Sequence, residues 1–101
     1  MLLLNITNII ANEHAGEHLS WLQQVYIPLI KKELTFEEIK LLKILDSPND
    51  GQTISLQLIA PNLKEISTFK ETLLPVLHKK MQEELKGHLF IFDTTMESID
   101  Y

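Results

Sequence analysis

Along the first ten residues apolar and polar positions alternate: Leu4 and Ile6 share one parity, Asn5 and Thr7 the other, and β-branched residues recur throughout. That pattern predicts a strand over residues 2–10. After Asn12 the period changes to that of a helix. Leu19, Leu22, Tyr26, Leu29 and Ile30 form a stripe, Glu13 and Glu17 sit near the positive end, and Asn12 can cap, so a helix is expected over about residues 13–32. Pro28 falls inside it, removing the bond to Gln24 and crowding that carbonyl, which predicts a kink or a new short turn.

Residues 36–45 are ambiguous between helix and strand, and propensity alone favours helix. Their neighbours decide for strand. The turn signal Asp46-Ser47-Pro48-Asn49-Asp50-Gly51 is followed by clean alternation over residues 52–60, and together they predict a hairpin of strands 37–46 and 52–60. Asn62 and Glu65 then stand at capping-box spacing before a stripe of Leu63, Ile66, Phe69, Leu73, Leu77 and Met81. This predicts a second helix to about Lys86, kinked ahead of Pro75 near residues 71–74 and stopped by Gly87. Residues 88–94 read as a last strand, followed by a short acidic tail.

The order strand, helix, strand, strand, helix, strand is the split βαβ, or ferredoxin-like, pattern of an α+β fold. Right-handed crossovers put strands one and three at the centre of a four-stranded antiparallel sheet with both helices on one face. Leu4, Ile6, Leu56 and Leu58 can fill the covered face. Strands two and four are apolar on both parities, at Leu41 to Leu45 and Leu89 to Phe92, so the other face also needs cover. With no third helix, the expected cover is a second copy of the sheet, in a homodimer of α+β barrel type whose interface takes in Leu42, Ile44, Phe90 and Phe92.

Size and charge narrow the function. The 101 residues fit a single domain, 1–101, with a modest core that an oligomer would help. Nine basic residues face fourteen acidic ones, for a net charge of −5, and every basic residue is lysine. Without arginine there is no bidentate fork for phosphate or guanine, and the doublets Lys31-Lys32 and Lys79-Lys80 lie among glutamates, so no nucleic acid is expected as a partner. The absence of cysteine removes disulfides, thiol nucleophiles and cysteine-held zinc. The apolar start lacks a basic region or cleavage signature, so it reads as a strand, with no membrane partner and a cytoplasmic location as the expectation.

His14-Ala15-Gly16-Glu17-His18 is a literal H-x-x-E-H, whose two histidines at i and i+4 could hold zinc beside a glutamate base. Gly16 weakens that turn and no third ligand is evident, so a solvated first turn is the expectation, with no metal and no cofactor. His78 and His88 stand alone in sequence, and no serine or threonine has a histidine–acid partner at a recognisable spacing, so no catalytic residue is nominated. A softer group is Asn5, Thr7, Ser55 and Gln57, which by parity can share the face away from the helices, with Phe90 and Phe92 beside them. Two readings stand: a wet cavity for a small ligand, or paired polar groups that set dimer register, the second being favoured. Trp21 lies to the side of the core stripe, where it packs over the sheet edge or lines a pocket mouth.

Leu4-Asn5-Ile6-Thr7, Trp21 with Tyr26-Ile27-Pro28, Leu41 to Leu45, Ser55-Leu56-Gln57, and Phe92 with Met96 and Ile99 resemble, in that order, a bacterial family called domain of unknown function 4286. The positions carrying the resemblance are Asn5, Thr7, Trp21, Ile27, Pro28 and Gln57; it departs at Leu4, where an aromatic is expected, and at Tyr26, where a histidine is common. The resemblance implies a dimeric α+β barrel, a fold type that includes cofactor-independent monooxygenases and small-ligand binders. Two functions follow as expectations. The first is a non-enzymatic homodimeric binding or interaction domain. The alternative is a monooxygenase-like enzyme or binder of a small apolar ligand, with Asn5, Thr7, Trp21, Tyr26 and Gln57 as pocket residues.

Overall fold

The computed structural model describes residues 1–101 apart from Asn49, so that part of the expected turn lies outside the described residues. The chain runs β1 (Leu2–Ile10), α1 (Asn12–Trp21), a wide π-helical turn (Leu22–Tyr26), α2 (Ile27–Glu33), β2 (Glu38–Ile44) and β3 (Gln52–Ala60). It continues with α3 (Leu63–Thr72), α4 (Leu74–Lys79), a second π-helical turn (Lys80–Glu84) and β4 (Leu89–Glu97). Across the sheet the order is β2-β3-β1-β4 with every pairing antiparallel, which is the ferredoxin-like α+β arrangement.

Alternation decides which side chains meet the helices. Leu4, Ile6 and Ile10 of β1 pair in register beside Leu58, Leu56 and Gln52 of β3, and Leu4 and Ile6 lie fully buried with Leu56 and Leu58. Leu22, Tyr26 and Ile30 from the first helical arm and Phe69, Leu73 and Leu77 from the second close over them. Each such fully buried side chain contributes roughly 1.5–3 kcal/mol of transfer free energy.

The proline effects take a particular form. Pro28 has no N–H to offer Gln24, and just before it the backbone widens: the N–H of Ile27 reaches back five residues to the carbonyl of Leu22. Pro75 opens α4, after a break in which Val76 N–H donates to Leu73 O at 3.2 Å. The cap of α1 differs from expectation. Asn12 is already helical, Ala11 holds the cap position, and no side chain caps there. Asn62 does cap α3, its Oδ1 accepting from Glu65 N–H at 3.0 Å, but the Glu65 carboxylate turns away to accept from Thr35 N–H at 2.9 Å. Gly51, at φ 98°, lets the β2–β3 loop press on β1: a Cβ there would lie 2.5 Å from Ile10 O.

Candidate functional site

One polar group interrupts the covered face. Asn8 stands on the same parity as Leu4, Ile6 and Ile10 and has no exposed surface. Its Nδ2 donates to Ile6 O at 3.2 Å and Ile54 O at 3.5 Å, so its Oδ1 is left to accept from His18 Nε2–H at 2.9 Å. That assigns the proton of the neutral imidazole to Nε2 and leaves Nδ1 a bare lone pair, buried and without a partner among the described residues. Burial first, and the ammonium of Lys80 second, lower the His18 pKa to about 4, so the ring is neutral at pH 7.

Aromatic rings extend this point into a line. Trp21 stacks on His18 with centroids 6.0 Å apart and on Tyr26 at 5.2 Å, while Lys80 Nζ sits 4.1 Å from the Trp21 ring and 3.6 Å from Glu84. Tyr26 donates its hydroxyl to Leu73 O at 2.7 Å, and burial raises its pKa. Beside His18 a cavity of about 60 Å³, lined also by His14, Glu17, Lys80, Glu84 and Leu85, has room for roughly four waters. A ring that stays neutral, hydrogen-bonded and enclosed is a packing element first. Its low pKa makes it a weak base, and no nucleophile is placed against it among the described side-chain contacts.

Among the described residues no helix covers the opposite face of the sheet. In register across β2, β3, β1 and β4 it presents the rows Ile44-Thr53-Ile9-Phe90, Leu42-Ser55-Thr7-Phe92, Lys40-Gln57-Asn5-Thr94 and Glu38-Ile59-Leu3-Met96. Ser55 Oγ donates to Asn5 Oδ1, and Asn5 Nδ2 donates to Thr7 Oγ1 at 2.9 Å, so these three side chains are paired within the sheet. Apolar edges flank them. Leu42 and Ile44 on one edge are 44% and 40% exposed, and Phe90 and Phe92 on the other are 52% and 58% exposed.

The structure therefore brings Asn5, Thr7 and Gln57 together on the open face, beside Ser55, and puts Trp21 and Tyr26 on the covered face. The five do not share one pocket, because the sheet lies between the two groups. Among the histidines the reading of H-x-x-E-H as a solvated turn is corrected at His18, which is 1% exposed, while Glu17 is exposed. His88 is not isolated: its ring lies 4.7 Å from that of His14, and its Nδ1 3.7 Å from Glu13 Oε1. Sequence reasoning missed the Asn8–His18 pair. Its signals were present: Asn8 falls on the apolar parity of β1, and His18 lies four residues before Leu22 on the core stripe.

A four-stranded antiparallel sheet covered by helices on one face, with exposed aliphatic and aromatic side chains on the other, defines the class as a ferredoxin-like α+β plait. Within it, the family model for domain of unknown function DUF4286 matches residues 1–99, and the chain belongs to that family. No curated protein matches it. Among solved structures it is similar to an ethyl tert-butyl ether D (EthD) family protein from Bacillus halodurans, with a TM-score of 0.66 and 14% identity over 98% of this chain and 100% of that one. At that identity the likeness shows the fold. Among the described residues no helix is long and apolar enough to cross a membrane.

Proposed function

We propose that this chain acts as a homodimeric binding module that pairs through the open face of its sheet. The observation that carries the reading is the set of exposed apolar side chains Leu42, Ile44, Phe90 and Phe92 on the two edges, flanking Asn5, Thr7 and Ser55, which hydrogen-bond to one another within the sheet. Apolar edges of this kind are stabilised by removal from water, while the paired Asn5, Thr7 and Ser55 cost little to cover. The face also suits a second copy of itself. One edge is aliphatic and the other aromatic, so a two-fold axis lying between two stacked sheets and parallel to their strands lays Phe90 and Phe92 of each protomer on the Leu42 and Ile44 of its partner. Four strands of up to nine residues span a flat area of roughly 600 Å², close to what one side of a standard interface buries.

Sedimentation equilibrium tests this reading: a dissociation constant weaker than about 1 mM removes its basis. Orientation is tested by charge exchange. Leu42→Glu and Phe92→Lys are each expected to give monomers, and the double variant to regain the dimer, because the two new charges meet across the axis. Double-variant monomers would rule out this register.

A second reading, binding of a small apolar ligand, is favoured by one observation. A cavity of about 210 Å³ opens between the first helical arm and the β2–β3 hairpin, with Leu19, Leu41, Leu42 and Ile54 as its apolar lining and Gln23, Lys43 and Gln52 as polar neighbours. Titration with 8-anilinonaphthalene sulfonate reads it: saturable fluorescence abolished by Leu19→Gln supports the site, and a response unchanged by that variant removes it.

A further inference from the structure

We infer that Glu13, His14 and His88 form a site for a first-row divalent transition metal of the zinc class. The three donors belong to segments far apart in sequence, and the backbone ties them together. Ala11 N–H donates to His88 O at 2.8 Å and His14 N–H to Ala11 O at 3.0 Å, so the first turn of α1 and the entry to β4 are held side by side. One donor atom from each of Glu13, His14 and His88 lies within 4.8 Å of the others. His88 Nδ1 and Glu13 Oε1 are already 3.7 Å apart, and the two imidazole rings are tilted by 53° with centroids 4.7 Å apart.

The chemistry of the set points to one class of ion. Tetrahedral zinc with nitrogen and oxygen ligands at about 2.0–2.2 Å needs donors about 3.3–3.5 Å apart. Glu13 and His88 are at that spacing to within a few tenths of an ångström, and their side chains are 66% and 48% exposed, free to close further around an ion. Two imidazoles with one carboxylate select zinc, copper or nickel over calcium or magnesium, which take oxygen ligands. The carboxylate also supplies the negative charge a cation needs at the start of a helix. Three protein donors leave a fourth position facing solvent. His18, the second histidine of the H-x-x-E-H motif, is buried at 1% exposure and is not among the three residues whose donor atoms converge.

Isothermal titration of the metal-free full chain with zinc chloride, kept dilute to suppress association, tests the inference. One zinc per chain is expected, with affinity reduced at least roughly tenfold in Glu13→Gln and abolished in His14→Gln/His88→Gln, while His78→Gln on α4 binds as the parent does. Ring nitrogen-15 shifts of His14 and His88 should move together on binding, with those of His18 unchanged. These surface substitutions are checked for folding by circular dichroism, and any that unfolds is replaced by single His88→Asn. No saturation by about 1 mM zinc, equal binding by the double variant, or one zinc per two chains overturns the inference.

Discussion

The two faces of the sheet are built from alternate residues of the same strands and handle polar groups in opposite ways. On the covered face Asn8 depends on His18, ten positions away on α1, and on Ile54 O of the neighbouring strand. On the open face Asn5, only three residues from Asn8, is satisfied by Thr7 on its own strand and Ser55 on the next. A buried polar group that draws its partner from another layer links that layer to the sheet. One satisfied within the sheet leaves its face free to meet something else. The contrast is between a polar pair that fixes the fold and a polar centre that can be covered and uncovered.

Three perturbations should separate the faces, each read as unfolding free energy at low protein concentration. Phe69→Ala on the covered side empties a fully buried position between Tyr26 and Phe36, and a loss of about 3–5 kcal/mol is expected by denaturant titration. A loss under about 1 kcal/mol would mean that the helix layer is not tightly packed on the sheet.

Next in size is a pH effect. The folded pKa of His18 is lowered from 6.5 to about 4, so the unfolded chain binds the extra proton between those values. Stability is therefore full above pH 6.5 and falls as pH drops toward 4, by about 3 kcal/mol in all. His18→Gln, which keeps a donor for Asn8 and does not titrate, should flatten that slope; an unchanged slope would place the effect elsewhere.

The smallest effect belongs to the open face. Phe92→Ser should change monomer stability by no more than about 0.5 kcal/mol while weakening self-association, since Phe92 is 58% exposed. A large loss of monomer stability would show that Phe92 supports the fold itself, and the contrast between the faces would fail.

Strands β1 and β3 were legible to the residue, at 2–10 and 52–60, because alternation over Leu4 to Thr7 and Ile54 to Leu58, with recurring β-branched residues, reads as strand. The shared face of Asn5, Thr7, Ser55 and Gln57 followed from the same parity once the strand order was settled. Element ends were less legible where long-range pairing sets them: β4 continues to Glu97, three residues past Thr94, because β1 offers partners as far as Leu2. The covered-face pair was missed because Asn and His are read as surface residues, and only their parity and helical position show otherwise. His88 was missed as a neighbour of His14 for a different reason: the contact needs the β1–β4 pairing, which no local pattern contains.

The wide turns carry a geometrical consequence of their own. On the first arm, beyond Ala15, the buried residues His18, Leu22, Tyr26 and Ile30 form one row, and on the second Phe69, Leu73 and Leu77 form a row that continues through the half-buried Met81 and Leu85. Both sets advance by four. A plain α-helix, at about 3.6 residues per turn, drifts about 40° with each such step and would carry the fourth member some 120° off the sheet. A π-helical turn, at about 4.4 residues, runs ahead of four by as much as the α-helix lags, so mixing the two holds the average winding near four residues per turn. Each arm thus works as a ruler graduated in fours, and a single residue gained or lost within it rotates one half of its buried row away from the other.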